Sequence, residues 1–365
     1  MSQVIPQKPL RVVVWSTGTI GRHAIAGIDA HPDMELVGVW VSSAAKDGKD
    51  VGVLAELGRE LGIKATTDRD ALIALAPDAI VHTAMADDRV FECIEDLISF
   101  VEAGINVTSS GPVLLQWPEE ILPPEFIARI EDACAKGNAS MHINGIDPGF
   151  ANDIMPLVMT SLSQRIDEVR VMEICDYSTY YQPVVMGELF GFGKPMDELG
   201  MLWHPGILTM AWGSVVRQIA AGLDVVLDEP LTEDVDRRIA EVDTPSVSGD
   251  ISAGTMGAVR FQLIGKVNGV ARVVLEHITR TAPDQVPEWD KPLEGDGCYR
   301  VKITGEPVMQ LDFTHHGEHG DHNVSGMITT AQRIVNALPA VVAAKPGIVR
   351  AIDLPLVTGR GLVSK

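Results

Sequence analysis

The chain has no apolar run approaching the ~18 residues that a membrane-spanning helix needs. Its first residues, Met1-Ser2-Gln3-Val4-Ile5-Pro6, lack the basic stretch and apolar core of an export signal, so a cytoplasmic location is expected. Positive charge is scarce as well: 29 Lys and Arg stand against 50 Asp and Glu, a formal net charge of −21. With no Lys/Arg cluster to offset it, that charge repels nucleic-acid phosphates and anionic membrane surfaces, and neither is an expected partner. Cys93, Cys134, Cys175 and Cys298 have no C-x-x-C spacing, which points to buried free thiols in a reducing compartment. Internal repeats and low-complexity tracts are absent.

What remains is ordinary globular material. Hydrophobic residues make up 46% of the 365 and charged residues 22%, enough apolar surface for more than one core, and two domains are expected. Leu10 to Trp15 is a β-branched run with Arg11 as its one polar residue, the composition of a strand covered on both faces. It is followed by a helix at Arg22 to His31, a strand at Met34 to Val41, a helix over 51–62, an extended 65–67 and a short helix at 70–75. Strands at 78–84, 106–110 and 139–144 then alternate with helices at 90–102 and 124–136. This alternation predicts an N-terminal Rossmann-type doubly wound parallel sheet of α/β class over residues 1–150.

After Gly149 the pattern changes. A helix at 150–162 leads to long strand-like segments at 168–176, 255–266, 270–281, 299–303 and 308–313, with hairpin residues Gly265 to Gly269 between two of them. Helices are expected at 205–221 and 327–344. A C-terminal α+β domain with a mostly antiparallel sheet is predicted over residues 151–324.

The turn Ser16-Thr17-Gly18-Thr19-Ile20-Gly21 follows the first strand and opens a helix. Glycine is needed there so that backbone can approach a pyrophosphate at the helix N-terminus. Gly18 and Gly21 fill two of the three usual positions, and Ser16 stands at the first. An NAD site usually has an acid at the end of the second strand. This chain instead has Ser42, Ser43 and, nearby, Lys46, which suit a 2′-phosphate, so NADP is expected and NAD is the alternative. Further cofactor contacts are expected at strand ends, from Thr83, Ala84 and Ser110.

Trp15 to Gly21, Gly145-Ile146-Asp147-Pro148-Gly149-Phe150 with Asp153 and Pro156, and Thr330 to Pro339 with Pro346-Gly347-Ile348 and Asp353-Leu354-Pro355 carry a resemblance across nearly the whole chain. Together they resemble the dihydrodipicolinate-reductase-like family that includes 2,4-diaminopentanoate dehydrogenases and native amine dehydrogenases. The resemblance implies a Rossmann domain to which residues 325–365 return, with Asn336 among the cofactor contacts. It also implies a second domain carrying the substrate pocket and homodimer contacts. The implied chemistry is NAD(P)H-dependent reductive amination of a carbonyl, or the reverse amine oxidation. The chain departs from the family in one respect: where its amine dehydrogenases have a catalytic glutamate after the fifth strand, this sequence reads Ser109-Ser110-Gly111-Pro112-Val113-Leu114.

Another group must then manage protons. His277 matches a segment where similar proteins place a pocket histidine, and imidazole suits proton transfer near neutral pH. Tyr177 and Tyr180 belong to a cluster holding three of the chain's four tyrosines and are the other catalytic candidates. Glu173 and Asp176 are weaker ones, and His142 is expected in the core. The histidines between His315 and His322 fit no common zinc spacing, so no metal is expected and a solvated loop is predicted. The soft residues around Phe190-Gly191-Phe192, including Met186, Met196, Met201, Trp203 and Trp212, are read either as a pocket for an apolar carbonyl or amine or as core and interface. Two other functions remain open: a carbonyl or imine reductase that never handles ammonia, and a non-catalytic NADP-binding sensor.

Overall fold

The computed structural model describes residues 8–86, 89–317 and 320–363; Met1 to Pro6 lie outside them. The chain forms two units, Met1–Ile146 with Met327–Lys365, and Asp147–Gly326. Among the described residues no helix is long and apolar enough to cross a membrane, and all four cysteines are buried free thiols.

The first unit is a parallel sheet flanked by helices. Its strands are β1 (Leu10–Trp15), β2 (Met34–Trp40), β3 (Ala79–His82), β4 (Asn106–Ser109) and β5 (Ser140–Ile143). The intervening helices are α1 (Thr19–Ala30), α2 (Val51–Leu54), α3 (Arg69–Ala74), α4 (Val90–Glu102) and α5 (Pro124–Gly137). Strand order is β12-β5-β4-β3-β1-β2, with β12 the short Gly347–Ile348. Val12, Val13 and Val14 are fully buried, as the apolar run that starts at Val12 in β1 requires. Because β1 pairs with β2 on one side and β3 on the other, the chain order reverses at β1. Its carboxyl end is therefore the switch point where such sheets take ligands.

Two expectations here are corrected. The helix predicted over 51–62 stops at Leu54 because the Asp50 carboxylate gathers the N–H groups of Gly52, Leu61 and Gly62 at 2.8–3.0 Å, winding the chain into a loop. The extended 65–67 is no sheet strand but a single bridge from Thr66 to Trp40. The fifth strand of the sequence reading is consequently β4.

The second unit contains α6 (Ile154–Thr160), β6 (Arg165–Asp176), α7 (Ile207–Gly222), β7 (Asp228–Ile239), β8 (Met256–Val267), β9 (Val270–Arg280), β10 (Gly297–Glu306) and β11 (Met309–Phe313). Helix α8 (His322–Val342) begins here, and its residues from Met327 onward belong to the first unit. The sheet order is β11-β10-β6-β9-β8-β7. All pairs are antiparallel except β6–β9. Asn268 and Gly269 close the β8–β9 hairpin with φ of 52° and 77°, the left-handed pair that a tight two-residue turn requires. Strand β7 was not predicted. Residues 147–149 are extended rather than helical, and the helix expected from Phe150 starts at Ile154. Met186, Phe190 and Phe192 join the main core with Val169, Val216 and Phe261, and Met196, Trp203 and Trp212 pack against it, so the core reading holds for them.

Candidate active site

The cofactor turn is built at the end of β1. Ser16 takes φ 100°, a conformation that ordinarily calls for glycine, and its hydroxyl accepts the Gly18 N–H at 3.2 Å. Gly18 caps α1. A Cβ at Gly21 would lie 2.1 Å from the Ser16 carbonyl oxygen and 2.8 Å from the Thr83 hydroxyl, whereas one at Gly18 would meet only the Ser16 hydroxyl at 3.5 Å. Gly21 thus allows helix and strand to close up, and Gly18 leaves open space on the turn. Thr83 donates its hydroxyl to the Trp15 carbonyl at 3.1 Å, tying β3 to the turn, and Ala84 follows it.

Lys46 crosses back to the turn, donating to the Thr17 hydroxyl at 3.0 Å. Ser42 and Ser43 are exposed on the same loop, and the Ser43 hydroxyl accepts the Ala45 N–H at 3.2 Å. Thr19 and Ile20 form the first turn of α1, and Ser110 donates its N–H to the His82 carbonyl at 3.2 Å. Asn336 sits on α8 with its Oδ1 buried and without a hydrogen-bond partner among the described residues. An open glycine cradle, a helix N-terminus, a loop cation and a buried amide oxygen fit a nicotinamide dinucleotide.

The second unit holds a buried acid–base cluster. Glu173 on β6 is the register partner of His277 on β9 and of Tyr299 on β10, and His277 is in turn the partner of Phe261 on β8. Register partners point to the same face of a sheet, so the pairing itself brings these side chains into a row. His277 is 1% exposed and Glu173 5%. The extended Asp147 brings a third group: its carboxylate lies 3.3 Å from His277 Nε2 and accepts the Trp212 indole N–H at 3.2 Å. The His277 ring stacks on Phe261 at 4.7 Å and meets Trp212 edge-on at 4.9 Å. Tyr177 donates its hydroxyl to Glu173 and stacks on Tyr180 at 4.5 Å.

Burial opposes charge throughout this cluster, and the partners decide which group carries it. Burial raises the Glu173 carboxyl to about 7, and the neighbouring Asp147 charge adds to the rise. Asp147 is buried too, but the facing His277 charge outweighs that and holds it below the usual range. Burial likewise opposes a charged His277, but Asp147 reverses this and raises it. Burial pushes the Tyr177 phenol well above its usual value, and Glu173 pushes it further. The cluster is therefore a fixed His277–Asp147 ion pair beside a carboxyl that exchanges its proton near neutrality. Neither ring nitrogen of His277, nor Asp147 Oδ2, has a partner in hydrogen-bond geometry among the described residues.

The other candidates divide. Asp176 accepts the Ser178 N–H at 2.8 Å, a turn contact. His142 bonds the Val349 carbonyl at 2.8 Å and is lowered to about 4 by burial, a core histidine. The solvated loop expected from His315 to His322 is corrected in part: the His315 and His322 rings meet at 4.4 Å, and His315 stacks on Tyr299 at 5.5 Å. Gly297 leaves the room that His322 occupies. Glu318 and His319 lie outside the described residues. Sequence reasoning did not single out Asp147 as a site residue, although it stood inside a quoted motif, which was the available signal; Trp212 was read as pocket or core, and Glu173 was held a weaker candidate than His277 and Tyr177.

A doubly wound parallel sheet with a glycine turn at its switch point, joined in one chain to a second sheet bearing an acid–base cluster, defines a nicotinamide-dependent oxidoreductase. Residues 150–362 match the family described as the 2,4-diaminopentanoate dehydrogenase C-terminal domain. An amine dehydrogenase of Streptomyces virginiae is 40% identical over 349 residues, covering 95% of this chain and 96% of the relative. A 2,4-diaminopentanoate dehydrogenase of Acetoanaerobium sticklandii is 26% identical over 286 residues, 76% of each. The solved amine dehydrogenase of Mycobacterium smegmatis shares the fold, with a TM-score of 0.78 at 22% identity over 97% of this chain and 98% of that one. The chain belongs to the family of 2,4-diaminopentanoate and amine dehydrogenases, and it is an NAD(P)-dependent dehydrogenase.

Proposed function

We propose that the protein is an NADP(H)-preferring amine dehydrogenase that interconverts a small carbonyl compound and its amine. The observation that carries this reading is the buried His277–Asp147–Glu173 cluster, because moving a nitrogen on and off a carbonyl carbon requires protons to be given and taken near neutral pH. When bound, the nicotinamide supplies the hydride. Gly18 and the α1 N-terminus hold the pyrophosphate, with Ser16, Thr17 and Thr83 shaping the turn, and Asn336 offers a free amide oxygen. Lys46, Ser42 and Ser43 receive the 2′-phosphate, which is what favours NADP over NAD.

In the second unit His277, kept charged by Asp147, polarises the substrate oxygen. Tyr177, bonded to Glu173, orients that carboxyl. Trp212 and Phe261 wall the cluster with apolar surface, which supports a largely apolar substrate. Family membership supports a homodimer.

NADPH oxidation with aliphatic ketones, measured with and without ammonium chloride, tests the reading. Turnover that requires ammonium is expected; ketone reduction indifferent to ammonium makes the protein a carbonyl reductase instead. NADPH is expected to bind at least tenfold more tightly than NADH, and Lys46→Glu to abolish that preference. A tenfold preference for NADH overturns the cofactor assignment.

A further inference from the structure

Asp147 and His277 form a buried charge pair whose alignment neither partner secures for itself. Their side chains are 1% and 2% exposed, and the facing atoms Oδ2 and Nε2 stand 3.3 Å apart, yet neither atom has a partner in hydrogen-bond geometry among the described residues. Attraction between two charges acts along the line joining them and sets no angle, whereas a hydrogen bond is directional. Alignment therefore depends on what grips each residue from its other side. His277 is gripped by the pairing of β9 and by the face of Phe261 at 4.7 Å. Asp147 has no such frame, because it lies in the extended segment 147–149 between β5 and α6.

Trp212 supplies the missing grip. Leu208, Trp212, Val215, Val216 and Ile219 recur along α7 at the spacings of one helical face; the four aliphatic residues join the main core of this unit and Trp212 packs against it. From there the indole N–H reaches Asp147 Oδ1 at 3.2 Å. The same ring meets His277 edge-on at 4.9 Å and tilts against Phe261 at 5.1 Å. One side chain thus touches both members of the charge pair and the ring on which the second is stacked.

We infer that Trp212 is a positioning residue: its indole N–H, by holding Oδ1, turns Oδ2 of Asp147 toward His277 and keeps the pair aligned for the reaction. The inference rests on the reading above, in which a charged His277 polarises the substrate oxygen. Without that N–H the carboxylate is left short of a donor where an unmatched acceptor is costly. It then turns away or takes up a proton, and in either case His277 faces less negative charge. Burial, which opposes a charged His277, gains on Asp147, so the ring gives up its proton at lower pH. The other acids facing His277 are Glu173 on β6 and Glu276 on its own strand; β8 and α7 present the uncharged Phe261 and Trp212. Asp147 itself also faces Glu173 and Asn152.

The test compares wild type with two forms that lack the N–H: Trp212→Phe, and the chain in which Trp212 is replaced by 3-benzothienylalanine, a sulfur isostere that keeps the size of the indole. With NADP+ bound, histidine carbon-13 signals are followed by NMR from pH 5 to 9, and the His277 signal is identified by its loss in His277→Phe. A hydrogen bond to a charged group is worth about tenfold or more in proton affinity, so the His277 titration is expected to move down by roughly one pH unit or more in both forms. A His277 signal that titrates at the wild-type pH or above it in the isostere, or that stays charged to pH 9 there as in wild type, overturns the inference. NADPH oxidation with cyclohexanone and ammonium chloride gives a second readout. The loss of kcat in the isostere is expected to be at least tenfold greater at pH 8.5 than at pH 6, with the Kd for NADPH unchanged. A loss equal at both pH values marks a role in packing alone and also overturns the inference. Wild-type turnover that is absent or indifferent to ammonium overturns the amine dehydrogenase reading instead, and the His277 titration then decides the inference by itself.

Discussion

Glu173 and His277 are direct register partners in the one parallel pair of an otherwise antiparallel sheet. Their juxtaposition is a property of the backbone pairing, so neither side chain needs a loop to deliver it.

His277→Phe keeps an aromatic ring against Phe261 and removes both ring nitrogens. The expected result is a loss of roughly 10²- to 10⁴-fold in kcat, the usual span for removing a proton-handling group, with NADPH binding unchanged. Steady-state rates together with fluorescence titration of NADPH check it, and a kcat within threefold of wild type removes His277 from the chemistry.

Stability should fall as pH rises from about 4.5. Glu173 is raised from 4.5 to about 7 by burial and by the Asp147 charge. Its contribution is therefore complete below 4.5 and lost as pH climbs through about 7, at roughly 1.4 kcal/mol for each pH interval of one, or about 3 kcal/mol in all. His277, raised by Asp147 against the opposing effect of burial, adds in the same direction above 6.5. Asp147, held low, acts oppositely and only in acid, below 3.8. Urea unfolding midpoints at pH 5 and pH 8 measure the difference, and Glu173→Gln should shrink it.

Gly18→Ala and Gly21→Ala should separate binding from folding. The Gly21 variant forces a methyl against the Ser16 carbonyl and is expected to lose roughly 1–3 kcal/mol of stability, read as a lower melting temperature. The Gly18 variant meets only ordinary contact, so it should melt like wild type while binding NADPH at least tenfold more weakly.

The Rossmann unit was legible because β1, β3 and β5 are buried at every position but Arg11 and are mostly apolar. Strand β7 was not, because Asp228-Glu229-Pro230-Leu231-Thr232-Glu233-Asp234 lies at the sheet edge, where acid and proline are tolerated. α2 was overestimated because nothing local announces that the Asp50 carboxylate binds N–H groups eleven and twelve residues away. In the site, His277 and Tyr177 could be proposed from residue type and setting. Asp147 could not, and Trp212 only as a pocket or core residue, since their meeting depends on how α7 lies against the loop after β5. Glu173 gains its importance only once β6 is known to lie between β9 and β10.

The cross-sheet row Tyr299–Glu173–His277–Phe261 makes the pairing of the strands a ruler for the chemistry. One extra residue in β6 ahead of Glu173 would turn that carboxyl to the other face, where Met172, Glu276, Gln262 and Arg300 now form the corresponding row. Two extra residues would restore the face but set Val171 opposite His277 in place of an acid. A small insertion or deletion in β6 would thus break up this row while leaving the fold and the four side chains themselves intact.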